Sequence, residues 1–360
     1  MSDPAGPPGS CHHAENRLRR DRKSAAHGVV SARRFDGQAC NWLSRIRNPV
    51  ADSSPISSLP PAVVYVNPNA GGGRALSCLP RIRKVFEVAS VPAEFISVGC
   101  AKDLESHALA AIHSGKRLLF ALGGDGTLQA LVNATYGSDV VLGVLPAGGG
   151  NDFAAALQLP RDPVAAAEAS LRGRPVRVDL ARARTADGRV RFYVGGGGLG
   201  IDAEAARYAN ETFRRMPGRS RYIASALWAF CGHRAIGVRA EFPGSDWPPM
   251  EVNSLLAAVL NTPTYGSGIR LAPDALLDDG WLDAVMLEDP SAFEVLKLLP
   301  RLLKSGELRT LEIHRMRVQA VKFTTDRPCR FHGDGEILGP TPAMIEVVPQ
   351  AVRVLAPAQN

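Results

Sequence analysis

The run Ala62-Val63-Val64-Tyr65-Val66-Asn67-Pro68-Asn69-Ala70-Gly71-Gly72-Gly73 decides the fold. Five consecutive apolar residues, mostly β-branched or aromatic, mark a strand buried on both faces, and such strands belong to parallel sheets. The strand runs straight into a glycine loop, the usual opening of an α/β unit. Working outward, the pattern predicts a helix from about Leu76 to Ala89, a strand near Glu94 to Val98, a helix from about Asp103 to His113 and a strand at Arg117 to Leu122. Gly123-Gly124-Asp125-Gly126-Thr127 then leads into a helix ending near Thr135. A strand from Val140 to Leu145 leads through Pro146-Ala147-Gly148-Gly149-Gly150-Asn151-Asp152 into another helix. Strands alternating with helices imply a mostly parallel sheet.

Beyond about Arg174 the rhythm is strand-dominated. Val176 to Arg184, the turn Ala186-Asp187-Gly188 and Val190 to Val194 read as a hairpin. Further strands are expected at Glu251 to Leu260, Trp281 to Leu287, Glu312 to Val318, Ala320 to Thr324 and Met344 to Val348, with helical patches near Ser220 to Phe230 and Ala292 to Lys304. The expected fold class is α/β: a mostly parallel α/β domain over residues 60–174 and a β-rich, sandwich-like domain over 175–357. Residues 1–59 are rich in Gly, Pro, Ser and Arg without periodicity, the composition of a flexible tail.

The 360-residue chain is 45% hydrophobic, enough to bury two cores, and its 35 Gly and 27 Pro point to tight turns rather than a helical bundle. Nine basic residues of the tail oppose five acidic ones, so +4 of the formal net charge of +7 sits there. Such a tail could touch anionic lipid or nucleic acid; a solvated tail is at least as common. No nucleic-acid-binding motif is visible. The longest apolar runs are of strand length, well short of the roughly 20 residues that span a bilayer, and Met1-Ser2-Asp3-Pro4 opens no secretory signal. The expectation is a cytoplasmic protein. Six scattered cysteines form no Cys-x-x-Cys pair and read as reduced thiols, and His107 and His113, six apart, do not share a helical face.

Three glycine loops at the carboxyl ends of parallel strands meet along the edge where α/β sheets bind ligands. Glycine lets backbone N–H groups approach phosphate oxygens, and the helix N-terminus that follows favours negative charge. The loops carry Asn67, Asp125 and Asp152. Neither a P-loop nor a Gly-x-Gly-x-x-Gly fingerprint is present, which disfavours ordinary NTPases and dehydrogenases. Phosphoryl transfer needs backbone amides, a carboxylate-held cation and a carboxylate beside the acceptor hydroxyl. Asp125, Asp152, Asp334 and Glu336 all lie in glycine-flanked turns that could supply these, although acidic residues are also ordinary turn formers.

Asn67-Pro68 with its glycines, Gly123-Gly124-Asp125-Gly126-Thr127 and Asn151-Asp152-Phe153 resemble the nucleotide-site signatures of the diacylglycerol kinase catalytic-domain family, which includes bacterial lipid kinases and sphingosine and ceramide kinases. The resemblance continues through Gly195 to Gly200, Asn261-Thr262, Ala272 to Asp283 and Asp334-Gly335-Glu336, covering about Ala62 to Pro357. It implies an ATP-dependent, Mg²⁺-using kinase that phosphorylates a lipid hydroxyl, diacylglycerol first among the candidates. By resemblance Asn67, Gly123, Gly124, Asp125, Gly126, Thr127, Gly149, Asn151 and Asp152 hold ATP, and Glu336 is the base; Asp334 is the alternative base, and Asp125 is counted with them as catalytic for ordering Mg²⁺·ATP. Asp279 with the backbone oxygens of Leu276 and Trp281 would match a Mg²⁺ position. The resemblance also implies that the last strand returns to the first domain, that the lipid is met at a membrane surface, on the inner face if the protein is peripheral, and that a homodimer is open. One departure is Gly149, where the family usually has threonine.

Rival readings stay open. NAD kinases and phosphofructokinases share a Gly-Gly-Asp-Gly loop, but the later motifs favour the lipid branch over an NAD kinase. A sphingoid or ceramide acceptor stays open; an inactive nucleotide- or lipid-binding protein is opposed by the retained Asp125, Asp152, Asp279 and Glu336 and left open by Gly149. Arg214, Arg215, Arg219 and Arg221 around Phe213 and Tyr222 could rest on an anionic membrane, though a core helix with a solvated arginine edge is the commoner arrangement.

Overall fold

The computed structural model describes residues 59–201, 235–289 and 313–358, with isolated positions 208, 212, 216, 224, 225, 228 and 229. The expected tail up to residue 58, the arginine-aromatic cluster of 213–222 and the expected helix at 292–304 lie outside these residues, as does most of the helical patch at 220–230, of which the four described positions are helical.

β1 (Ala62–Val66) is buried along its whole length. It pairs in parallel with β2 (Ala93–Ser97) on one side and β3 (Leu118–Gly123) on the other, and β3 pairs in parallel with β4 (Val141–Pro146). Side chains alternate across the pleat. Ala62, Val64 and Val66 enter one core with Ile82 and Phe86 of α1 (Arg74–Val88), where Phe86 meets Phe120 edge-on at 5.1 Å. Val63 and Tyr65 enter another core with Leu104 of α2 (Ala101–His113) and Leu128 and Leu131 of α3 (Asp125–Thr135). The chain leaves β1 for β2, then crosses to β3 on the opposite side. The carboxyl edge between β1 and β3 is therefore a topological switch point, where open α/β sheets bind ligands.

The expected "another helix" after β4 is two helices: α4 (Asp152–Ala156), only five residues long, and α5 (Pro163–Leu171). Asp162 begins α5, its side chain accepting from the Ala165 N–H at 3.1 Å, with Pro163 at the first helical position.

The β-rich domain opens with β5 (Arg174–Arg184), paired antiparallel with β6 (Val190–Tyr193) as expected. β9 (Met250–Leu260), β10 (Leu282–Glu288), β11 (Ile313–Val318) and β12 (Ala320–Thr325) lie within a residue or so of their expected positions. Four strands were not anticipated: β7 (Gly196–Gly200), β8 (Ile236–Glu241), β13 (Arg330–Gly333) and β14 (Glu336–Pro340). β7 reads Gly-Gly-Gly-Leu-Gly, a composition depleted in strands, and is held by β9 and β13 on either side.

The closing strand corrects the sequence reading most. β15 runs from Ala343 to Ala356, well past Val348. Pro349 cannot donate to a ladder, and the chain survives it by bulging: register against β5 jumps from Val348 to Val352, and Gln350 adopts φ 49°. The Gln350 N–H donates to Asp179 Oδ1 at 2.7 Å. Beyond the bulge Arg353 and Val354 pair in parallel with Val141 and Leu142 of β4, which makes one continuous sheet of the parallel strands and the β-rich part.

Candidate active site

The three glycine loops meet as the sheet topology requires. Across the switch point Asn67 Nδ2 donates to Thr127 Oγ1 at 3.1 Å, while Asn67 Oδ1 accepts from the Asn69 N–H at 3.1 Å. The loops after β3 and β4 stack backbone on backbone, so that a Cβ on Gly148 would lie 2.5 Å from Gly124 Cα. The second loop closes on itself: Asn151, at φ 59°, accepts from the Gly148 N–H at 3.0 Å and donates to the Gly148 carbonyl at 2.9 Å. Gly149 is the exposed member of that loop.

Asp125 stands at the start of α3 and accepts from the N–H groups of Asp152 at 3.1 Å and Phe153 at 3.3 Å. Burial, then the neighbouring Asp152 charge, pushes its pKa up to about 6, against the opposing pull of those N–H donors. Asp152 in turn reaches out of its own domain. Its Oδ1 accepts from Thr264 Oγ1 at 2.6 Å and its Oδ2 from the Ser267 N–H at 3.0 Å. Thr264 and Ser267 were not foreseen from the sequence. They belong to a tight hairpin closed by reciprocal bonds between Tyr265 and Ile269, and Gly266, Ser267 and Gly268 all have positive φ. Gly-Ser-Gly shortly after Asn261-Thr262 was the available signal.

The Asp334-Gly335-Glu336 turn faces the first of these loops. A Cβ on Gly126 would lie 3.4 Å from the Asp334 carbonyl and 3.6 Å from Glu336 Oε1. Asp334, at φ 49°, turns both carboxylate oxygens inward: Oδ2 accepts from the Val194 N–H at 2.7 Å, and Oδ1 from Gly195 at 2.9 Å and Gly196 at 3.2 Å. Burial, then Asp125, pushes its pKa up to about 8 against those three donors. Glu336 is exposed at the start of β14. Asp125, Gly126, Asp152, Asp334 and Glu336 thus meet at one junction between the two domains, and Asn67, Gly123, Gly124, Thr127, Gly149 and Asn151 belong to the stacked loops beside it.

Leu276, Asp279 and Trp281 make no hydrogen bond to that junction. Asp279 accepts from the Trp281 N–H at 3.0 Å and is ion-paired with Arg317, whose guanidinium also lies 5.6 Å from the Trp281 ring centre. Burial raises the Asp279 pKa, and Arg317 opposes the rise. Arg317 thus occupies one side of the Asp279 carboxylate. The segment is also tied to buried Asp179, whose Oδ2 accepts from the Gly280 N–H at 2.7 Å and whose N–H donates to the Leu277 carbonyl at 2.6 Å.

No cluster of three or more His, Cys, Asp or Glu among the described residues forms a metal site. Asp125 and Asp152 offer a divalent cation a different set of oxygens. Their carboxylate oxygens lie 3.3 and 3.5 Å from where a Gly150 Cβ would be, so the missing side chain leaves a small oxygen-lined cradle. Carboxylates and water are the ligands Mg²⁺ prefers.

Residues 61–183 match the diacylglycerol kinase catalytic domain, and residues 197–356 match the YegS C-terminal NAD kinase beta sandwich-like domain. The chain is 30% identical over 292 residues to a diacylglycerol kinase of Mycobacterium tuberculosis (strain H37Rv), covering 81% of this chain and 93% of that protein. It is 29% identical over 264 residues to a probable lipid kinase YegS-like of Stenotrophomonas maltophilia, covering 71% and 84%. A crystal structure of a putative diacylglycerol kinase from Bacillus anthracis superposes with a TM-score of 0.64 at 20% identity, covering 82% of this chain and 96% of that one, and shares the fold. With both halves matched in order and the loops assembled into one junction, the chain belongs to the diacylglycerol kinase family of lipid kinases.

Proposed function

We propose that this chain transfers the γ-phosphoryl group of ATP, with Mg²⁺, to the free hydroxyl of diacylglycerol presented at a membrane surface, giving phosphatidic acid and ADP. The observation that carries the reading is the approach of Glu336 to Gly126, which sets a carboxylate of the β-rich domain against the glycine loop of the parallel-sheet domain. The glycine loops and the α3 N-terminus bind and orient the phosphates, whose charge a bound Mg²⁺ would neutralise. Glu336 takes the proton of the acceptor hydroxyl as its oxygen bonds to phosphorus and the bond to ADP breaks. Glu336 is assigned this step over Asp334 because it is exposed, whereas both oxygens of Asp334 are turned into the Val194–Gly196 backbone. Asp334 instead fixes the turn that presents Glu336.

The test incubates the purified full chain with labelled ATP, Mg²⁺ and separate acceptors: diacylglycerol, sphingosine, ceramide, undecaprenol and NAD. Labelled phosphatidic acid is the expected product. Label in NAD alone, or in no acceptor, would sink the reading.

A further inference from the structure

Ser267 is buried to 9% exposure, and its hydroxyl has no hydrogen-bond partner among the described residues. A buried hydroxyl left unpaired costs free energy, so a native one calls for an explanation. Its backbone is also costly, since φ is 75° at a residue with a Cβ. Glycine would relieve both at once. Yet the Tyr265–Ile269 hairpin holds Ser267 there, with Asp152 accepting from its N–H and from Thr264.

The hydroxyl points into the cradle already described. A Cβ on Gly150 would lie 3.3 Å from Asp125 Oδ2, 3.5 Å from Asp152 Oδ2 and 3.5 Å from Ser267 Oγ. Three oxygens from three chain segments face one gap that only the absence of a side chain keeps open. Two carboxylates repel an anion, and a hydroxyl beside them offers a lone pair, so the donor set selects a hard divalent cation. We propose that Ser267 Oγ is the third oxygen ligand, beside Asp125 and Asp152, of the divalent cation that accompanies the nucleotide. Mg²⁺ bonds oxygen at about 2.1 Å and commonly keeps several waters, so oxygens this far from the gap hold it partly through water. The hairpin carrying Ser267 belongs to the β-rich domain and the two carboxylates to the parallel-sheet domain. The cation therefore clasps the junction on which Glu336 sits. This rests on the kinase reading for the identity of the nucleotide but not for the cation itself.

The experiment titrates Mn²⁺ into the full chain and follows free Mn²⁺ by electron paramagnetic resonance, without nucleotide and then with ADP. Ser267→Gly removes the hydroxyl and relieves the backbone. It is expected to keep or raise the metal-free thermal midpoint while weakening Mn²⁺ binding about tenfold, roughly the worth of one hydrogen bond or ligand to a charged partner. Asp125→Asn and Asp152→Asn are expected to weaken it further. Mn²⁺ binding by Ser267→Gly within twofold of wild type overturns the proposal, as does no Mn²⁺ binding by the wild type, or Mn²⁺ binding lost on Asp279→Ala and kept in Ser267→Gly. Absence of any labelled lipid in the presence of normal Mn²⁺ behaviour would instead sink the kinase reading alone.

Discussion

Asp334 and Glu336 are two residues apart, yet their surroundings assign them opposite work. Glu336→Gln keeps the shape but cannot take a proton. Its kcat is expected to fall by roughly a hundred- to ten-thousand-fold, with ATP affinity measured by calorimetry staying within a few fold. Near-normal turnover would move the base elsewhere. Asp334→Asn should fail differently. An amide cannot accept three N–H bonds, and its own N–H₂ would face the donors of Val194, Gly195 or Gly196. Leaving buried groups unpaired costs about 1–3 kcal/mol, so this variant is expected to lose stability in chemical denaturation, with the midpoint falling at unchanged slope. A stable Asp334→Asn enzyme with kcat abolished would reverse the two assignments.

At the level of elements, what could be read in the sequence follows from how each element is buried. β1, β3 and β4 were legible because strands covered on both faces are continuous apolar runs, and their glycine loops carry residues with few other uses. β8, β13 and β14 were not, being mixed in polarity, and β8 and β13 are anchored by β12 and β7, far along the chain. Ser267 was invisible for the same reason: between two glycines it reads as a turn, and only its bond to Asp152, 115 residues away, gives it a place in the site. The acceptor lipid leaves no motif, since acyl chains are recognised by apolar surface. The bulge in β15 is also tertiary in origin. It depends on Asp179, which accepts from Gln350 on one side and Gly280 on the other. Asp179→Ala strands two N–H groups and empties a fully buried site. Each unpaired group costs about 1–3 kcal/mol, so the loss should be several kcal/mol in denaturant unfolding, and a change below about 1 kcal/mol would show that water or shifted backbone replaces the carboxylate.

Across the described residues, the buried and half-buried carboxylates with strongly raised values share one sign. Burial is the first cause in each case: Asp125, Asp179 and Asp283 are pushed up to about 6, and Asp334 to about 8. All four ordinarily titrate near 3.8. Between that value and about 8 the folded chain therefore holds more protons than the unfolded chain. The sign follows from linkage: stability is greatest toward acid within this window and falls as pH rises through the raised values. A divalent cation held as proposed by Asp125 would compete with its proton and leave the unfolded chain alone, so its stabilising effect would grow as pH rises. Thermal unfolding of the full chain between pH 5 and pH 8, with EDTA and with saturating Mg²⁺, is expected to show a midpoint that declines with pH in EDTA and a Mg²⁺-induced rise that widens toward pH 8. In Asp125→Asn, which has no proton to lose, the Mg²⁺ shift should be small and nearly independent of pH. A Mg²⁺ shift equally large at pH 5 and pH 8 in the wild type would mean that the cation binds where no raised carboxylate titrates, and would place it away from Asp125.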